Sequence, residues 1–88
     1  GPTTDREIVS GFVDEAIDYL PAIRAGVRRF AAAPGDGAVL EEATRFAHTI
    51  KGAAAMVGLS DLSHAAFHLE ELLEALADGR REVTPDRL

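Results

Sequence analysis

His48, Lys51 and Gly52 stand close together in the stretch AHTIKGAAAMVG, and their chemistry is unusual for a helix core. An imidazole is a competent nucleophile near neutral pH. A lysine three residues later in a helix can neutralise an anion held on that imidazole. Glycine inside a helix costs about 1 kcal/mol relative to alanine, so its presence needs a reason. The three residues predict an exposed nucleophilic nitrogen with a nearby cation and open access for a second protein.

The apolar pattern around this stretch predicts that His48 points to solvent. At about 100° per residue, the core side of this helix holds Val39, Ala43, Phe46, Ile50, Ala53 and Val57. His48 lies almost opposite that stripe, and its side of the helix also holds Glu41, Thr44, Arg45, Lys51, Gly52 and Ala55. We therefore expect a solvent-exposed histidine in the middle of a helix.

The following helix offers a group that could orient the imidazole. Ser63, Phe67, Glu70 and Glu74 lie on one flank of its apolar stripe. If this flank packs against His48, Glu70 can accept a hydrogen bond from one ring nitrogen and leave the other free. The alternative is that Glu70 is an ordinary solvated helix acid. Phe67 has two interpretations as well, as an apolar contact for a partner or as packing against the preceding helix.

Apolar residues at spacings of three and four predict an all-α protein. We expect helices over about 4–32, from about 38 to 57, and from a cap at Ser60 or Asp61 to the closing Asp78-Gly79. Pro21 should kink or split the first helix. Residues 84–88, which begin with Thr84-Pro85-Asp86, are typical of the start of a truncated fourth helix. Short connections favour antiparallel neighbours in an up-down bundle.

Length and composition predict one ordinary globular domain over residues 1–88. The chain has 88 residues, 47% of them hydrophobic and 27% charged, and no cysteine. Its formal net charge of -6 argues against a nucleic-acid surface and against an anionic membrane as partner. Residues 1–2 look like a protease-tag scar, no signal peptide opens the chain, and no apolar run is long enough to span a membrane.

The motif His48-Thr49-Ile50-Lys51-Gly52 resembles the HxxKG motif of histidine phosphotransfer (HPt) domains. The stretch AHTIKGAAAMVGLSDLSHAAFHLEELLEAL is similar to the CheA-type N-terminal phosphotransfer domain of chemotaxis-like and hybrid histidine kinases. The resemblance implies a helical bundle in which His48 is phosphorylated on Nε2. It also implies that Lys51 helps to hold the phosphoryl charge, that Gly52 gives it room, and that Glu70 binds Nδ1. Thr44, Arg45, Ala55 and Phe67 are candidate partner-binding residues on the same surface.

The sequence departs from the family pattern at three places. Phe67 stands where CheA-type domains often carry a second histidine, which should weaken the hydrogen-bond network around Glu70. Ala55 stands where the family often has glycine. The family's fourth helix is almost wholly absent, so an apolar face should stay open. We expect dimerisation through that face, helix exchange or low stability.

The resemblance and the missing motifs together predict a phosphorelay substrate module rather than an enzyme. The sequence has no P-loop, no glycine-rich nucleotide lid and no acidic Mg²⁺ cluster, so we expect no cofactor here and ATP and Mg²⁺ only on partner domains. The expected partners are a histidine kinase catalytic domain, in the same full-length protein or another, and the receiver domain of a response regulator. The expected location is the cytoplasm.

Two other interpretations remain open. His64, His68 and Glu71 could form a metal site, since a histidine pair four residues apart can chelate Zn²⁺, although few ligands are within reach. The chain could instead be a helical interaction module that binds partners without phosphotransfer. Whether His48 takes up a phosphoryl group decides between this module and the relay.

Overall fold

Three α-helices and one short 3₁₀ turn make up the described part of the chain. The computed structural model describes the backbone of residues 2–79 and the side chains of residues 5–79. Helix α1 spans Pro2–Ala32, the 3₁₀ turn spans Gly37–Leu40, α2 spans Glu41–Met56 and α3 spans Ser60–Ala77. Residues 2–79 contain no strand, so the predicted all-α helical bundle is confirmed. The expected start of a fourth helix at residues 84–88 lies outside the described residues.

Helix α2 lies between α1 and α3 and runs antiparallel to both. The rings of Tyr19 and Phe46 stack with their centroids 4.6 Å apart, while Gly26 lies against Ala43, so α1 and α2 run in opposite directions. Within residues 2–79, no Cα atom of α1 lies within 8 Å of a Cα atom of α3. In this part of the chain, α1 and α3 are connected mainly through α2 and the 3₁₀ turn.

The core forms where small residues of α2 meet larger residues of its neighbours. Its buried apolar members are Phe12, Ile23, Leu40, Ala43, Ala47, Ile50, Ala54, Ala66 and Leu73. The alanines let α1 and α3 approach α2 closely from two sides. Of the six positions predicted to face the core, Ala43 and Ile50 are buried and the other four are half-buried.

Pro21 does not split α1, and that part of the prediction is wrong. The helix continues without interruption from Pro2 to Ala32. Proline removes one intrahelical donor, so the carbonyl of Ile17 loses its usual partner. Pro21 and Ile17 are both exposed, and water can satisfy that carbonyl. The rest of the helix is stabilised by packing against α2.

The second helical segment begins with a 3₁₀ turn rather than as a regular α-helix. This turn places Leu40 in a fully buried position and contacts all three helices. Gly37 lies so close to the carbonyl oxygen of Ala77 that any Cβ at this position would collide with it. The turn therefore packs closely against the end of α3, and the regular helix starts only at Glu41.

A tight glycine turn joins α2 to α3 and sets how they face each other. Gly58 has φ of +81°, the left-handed conformation that glycine adopts without strain. The amide of Leu59 donates to the carbonyl of Ala54, and that of Gly58 donates to Ala55, which forms a Schellman motif.

Leu59 also serves as the N-cap residue of α3. Its carbonyl accepts a hydrogen bond from the amide of Ser63, and no side-chain cap is present. The predicted cap at Ser60 or Asp61 is therefore wrong. Both residues already lie in the first turn of α3.

Several large apolar residues of α1 stay exposed among the described residues, namely Ile8, Val13, Ile17, Leu20 and Val27. None of the helices within residues 2–79 combines the length and apolar character that crossing a membrane would require.

Candidate functional site

His48 lies in the middle of α2, with its side chain 62% exposed. Its neighbours Ala47 and Ile50 are buried in the core, so the helix turns the imidazole away from the core. The expectation of a solvent-exposed histidine in mid-helix matches this placement. A nucleophile here is accessible to a second protein.

Glu70 of α3 reaches across and contacts the imidazole. Its Oε2 lies 2.9 Å from Nδ1 of His48. An ionised carboxylate only accepts hydrogen bonds. Nδ1 therefore carries the proton and donates a hydrogen bond to Glu70. In the neutral ring, Nε2 then keeps its lone pair. Sequence spacing alone did not decide whether Glu70 contacts His48. The observed contact selects the tautomer whose nucleophilic nitrogen is Nε2.

Lys51 contacts the same carboxylate through its other oxygen. Its Nζ donates to Oε1 of Glu70 at 3.0 Å. The ammonium also lies 5.3 Å from the centroid of the Phe67 ring, which is within the range of a cation–π interaction. Glu70 thus links His48 to Lys51, and Phe67 helps to position the lysine. Sequence analysis predicted neither the contact between Lys51 and Glu70 nor the one between Lys51 and Phe67.

Ser63 fixes the register that brings these groups together. It is buried, and its hydroxyl donates to the backbone carbonyl of Lys51 at 2.8 Å. Phe67 and Glu70 follow it at i+4 and i+7, and these positions share one face of a helix. The single hydrogen bond at Ser63 therefore aligns that face of α3 with the turn of α2 that holds His48. Sequence analysis placed Ser63 on this flank but gave it no role.

The charge of Glu70 is stabilised by its two partners. Its side chain is only 13% exposed. Burial acts to raise the pKa of Glu70, but the hydrogen bonds from Lys51 and His48, together with their charges, lower it more. The net effect holds the pKa of Glu70 below its ordinary value, so the carboxylate remains ionised near neutral pH.

The surface beyond His48 is flat and open. A Cβ added to Gly52 would meet no atom within 4 Å, so nothing in the described fold requires glycine there. Ala55 is exposed one turn farther on, and Phe67 keeps 42% of its surface exposed beside them. Both interpretations of Phe67 therefore hold in part, because its ring contacts Lys51 and still presents apolar surface to solvent.

The remaining predicted partner-binding residues lie on the turn before His48. Arg45 is exposed on the same side of α2. Thr44 is half-buried, and its hydroxyl donates to the carbonyl of Leu40 at 2.8 Å. The hydroxyl of Thr44 is thus already engaged within its own helix. Met56, which sequence analysis did not single out, is 88% exposed at the end of α2.

The proposed metal ligands do not converge into a site. His68 and Glu71 are exposed, and Nδ1 of His68 lies 3.6 Å from Oε1 of Glu71. Among the residues that the structure describes, no three histidine, aspartate or glutamate side chains are grouped as a metal ion would need. The pair from His68 and Glu71 also differs from that of His48 and Glu70, since no lysine joins it.

Comparison with known proteins places this chain in a family. The Hpt domain family matches residues 7–88. The chemotaxis protein CheA of Bacillus subtilis is 35% identical over 77 residues, which cover 88% of this chain and 12% of that protein. CheA of Halobacterium salinarum is 30% identical over 82 residues, which cover 93% of this chain and 12% of that protein.

The sensor histidine kinase CheAY of Helicobacter pylori is 30% identical over 81 residues, which cover 92% of this chain and 10% of that protein. The chain thus spans only a small part of the relatives that it matches. No solved structure is significantly similar to it. The family match over nearly the whole chain and the CheA relatives show that this chain belongs to the Hpt domain family, the phosphorelay modules of two-component signalling.

Proposed function

We propose that His48 accepts a phosphoryl group on Nε2 from a histidine kinase and passes it to an aspartate of a response-regulator receiver domain. One observation carries the proposal. The carboxylate of Glu70 holds the proton on Nδ1 of His48 at 2.9 Å while the imidazole remains exposed. A nucleophile with its lone pair fixed on the outward nitrogen is what phosphoryl transfer to a histidine requires.

The transfer needs no proton to leave the attacking atom. The lone pair of Nε2 attacks the γ-phosphorus of ATP, the new N–P bond forms, and the bond to the bridging oxygen of ADP breaks. The ring then resembles an imidazolium because Nδ1 keeps its proton. In the next step an aspartate oxygen attacks the same phosphorus, the N–P bond breaks, and its electron pair returns to Nε2.

Glu70 and Lys51 have separate tasks in these steps. The Glu70 carboxylate orients the ring and stabilises the positive charge that the ring acquires when Nε2 bonds to phosphorus. A phosphoryl group adds about two negative charges, and the Lys51 ammonium, which shares the Glu70 carboxylate with His48, can offset part of them. Lys51 already neutralises Glu70 through a contact of 3.0 Å, so it remains held at the site before the phosphoryl group arrives.

We expect the partners, rather than this chain, to bind ATP and Mg²⁺. The kinase domain binds the nucleotide with its metal, and the receiver supplies the metal for the second step. This chain contributes the accepting nitrogen and its positioning, which are the main requirements of phosphoryl transfer.

The whole protein would carry out this relay in the cytoplasm, where ATP is available. We also propose that the chain self-associates through an apolar face of its described helices.

The surface around Gly52 is the approach route for both partners. Gly52 and Ala55 leave a flat helix face next to His48, and Phe67 adds an exposed apolar ring. Arg45 presents a charge on the preceding turn. Thr44 contributes mainly its methyl group, because its hydroxyl is bonded to Leu40.

The test is a two-step transfer with purified components. A CheA-type kinase core with labelled ATP and Mg²⁺ is added to the wild-type domain, to His48→Gln and to His68→Gln. We expect acid-labile label on the wild type and on His68→Gln, none on His48→Gln, and loss of the label when a receiver domain is added. His68→Gln is a matched control, since His68 is also an exposed histidine near a glutamate.

Kinase specificity could suppress labelling, so phosphoramidate serves as a second donor that needs no docking. If the folded domain stays unmodified at His48 with both donors, the relay proposal fails. The chain would then be an interaction module without phosphotransfer.

A further inference from the structure

Three side chains of α3 contact a single residue of α2, Lys51. The Ser63 hydroxyl donates to its backbone carbonyl at 2.8 Å, and Oε1 of Glu70 accepts from its ammonium at 3.0 Å. The same ammonium lies over the ring of Phe67, with 5.3 Å between Nζ and the ring centroid. Lys51 is thus held at its backbone and at its charged end, and its side chain is only 29% exposed. Ordering a lysine side chain costs more conformational entropy than ordering most others, so several contacts are needed to offset that cost.

The two contacts at the ammonium of Lys51 differ in charge. The carboxylate of Glu70 carries a full negative charge and neutralises the lysine. The ring of Phe67 attracts a cation through the negative face of its π system, but it has no net charge and no group that titrates. The ring therefore holds the ammonium in place without cancelling its positive charge.

Phosphoryl transfer changes the charge around Lys51. Before transfer, a neutral His48, an ionised Glu70 and the Lys51 ammonium sum to zero. Afterwards the ring of His48 is positive and the phosphoryl group adds about two negative charges, so the sum is about −1. Glu70 then stabilises the positive ring, and the ammonium has a second anion to serve. A contact that retains Lys51 without competing for its charge keeps the cation at the site during this change.

We infer that Phe67 is a positioning residue of the relay, whose ring holds the Lys51 ammonium beside His48 and leaves its charge available to the phosphoryl group. The inference rests on the proposed function and assigns Phe67 a task within it. The ring acts through Lys51 and does not need to touch the phosphoryl group. This task differs from contact with a partner protein, which the exposed 42% of Phe67 also permits.

Labelling by phosphoramidate separates the two roles, because this small donor offers no protein surface for Phe67 to contact. We expect Phe67→Leu to lower the rate constant for labelling of His48 by about two- to fivefold, the range that a cation–π contact at an exposed site implies. Phe67→Tyr should restore the wild-type rate. Leu62→Ala is a matched control, since Leu62 is 41% exposed on the same helix and should be labelled at the wild-type rate. If Phe67→Leu is slower only with the kinase, Phe67 is a docking contact and the inference is overturned.

Two further comparisons separate the electrostatics of the ring from its shape. Site-specific replacement of Phe67 by fluorinated phenylalanines withdraws electrons from the ring face and changes its size little, so the rate should fall with each added fluorine. In a Lys51→Met background, Phe67→Leu should have no further effect, because the ring acts only through the lysine. A rate that is independent of fluorine, or an equal loss in both backgrounds, would show that the ring only packs and would overturn the inference.

Nuclear magnetic resonance of the unphosphorylated domain tests the contact itself. The ring current of Phe67 should shift the ε-methylene protons of Lys51 upfield in the wild type and in Phe67→Tyr, and this shift should vanish in Phe67→Leu. Its absence from the wild type would overturn the inference. Circular dichroism checks that the variants stay helical.

The relay is judged separately in the same experiment. If the folded wild type takes no label at His48 from the kinase or from phosphoramidate, the proposed function fails and this inference fails with it. If the wild type is labelled and Phe67→Leu is labelled equally fast by phosphoramidate, this inference alone fails.

Discussion

Replacement of Gly52 by alanine should stabilise the domain while it slows phosphotransfer. Gly52 lies in the interior of α2 with no positive φ, and an added Cβ would meet nothing within 4 Å. Alanine is about 1 kcal/mol more favourable than glycine in a helix interior. No clash subtracts from this gain, so the free energy of unfolding should rise by about 1 kcal/mol. For a domain of this size the melting temperature should rise by about 4–8 °C.

Gly11 provides the matched control for this change. It is exposed within α1, and a Cβ there would also meet nothing within 4 Å. Gly11→Ala should therefore give a similar gain in thermal or urea denaturation. It lies on a different helix from His48 and should leave the rate of labelling from the kinase unchanged.

The added methyl group of Gly52→Ala projects one turn beyond His48 on the approach route of the partner. A small misplacement of reacting groups can cost large factors in rate, so we expect transfer to fall by about tenfold or more. The reasoning is refuted in two ways. A destabilised Gly52→Ala would show that the fold itself needs glycine, and a stabilised variant with wild-type transfer would show that Gly52 has no role in access.

Three further predictions concern the contacts between α2 and α3. Ser63→Ala removes the hydrogen bond to the Lys51 carbonyl and should cost about 1 kcal/mol in urea unfolding, and an unchanged midpoint would contradict its role in setting the register. Because the pKa of Glu70 is lower in the folded than in the unfolded chain, its contribution to stability is present above its ordinary value of about 4.5 and is lost as the pH falls through the folded pKa. The difference in the free energy of unfolding between wild type and Glu70→Gln, measured by urea titration, should shrink as the pH falls through the folded pKa of Glu70. A difference that does not change with pH would argue against the ion pairs. Phe67→Tyr should retain the cation–π contact with Lys51, whereas Phe67→Leu should lose about 0.5–1 kcal/mol of stability, and equal stability of the two variants would exclude a contribution from the ring.

Periodicity was enough to predict the helices and the exposure of His48. The apolar spacing around Ile50 marks the core side of α2, and His48 falls opposite to it whatever the neighbouring helices do. The contact with Glu70 was predictable only conditionally. The contact requires that one flank of α3 faces α2. The apolar periodicity of a single helix does not determine how that helix faces its neighbour.

The features that sequence reasoning missed depend on tertiary register. The turn at Gly58 makes Leu59 both the end of the Schellman motif of α2 and the N-cap of α3, which leaves no cap position for Ser60. That turn, with the hydrogen bond from Ser63 to the Lys51 carbonyl, brings Lys51 onto Glu70. The available signal in the sequence was a serine, Ser63, on the flank of α3 that also holds Phe67 and Glu70.

The central claim is that Glu70 holds the proton on Nδ1 of His48 and so leaves Nε2 free to accept the phosphoryl group. Long-range ¹H–¹⁵N and ³¹P nuclear magnetic resonance of the phosphorylated domain, labelled with ¹⁵N at histidine, identifies both the residue and the ring nitrogen that carries phosphorus. The account predicts phosphorus on Nε2 of His48, with the proton retained on Nδ1. Phosphorus on Nδ1 of His48, or on His64 or His68 in place of His48, would contradict it.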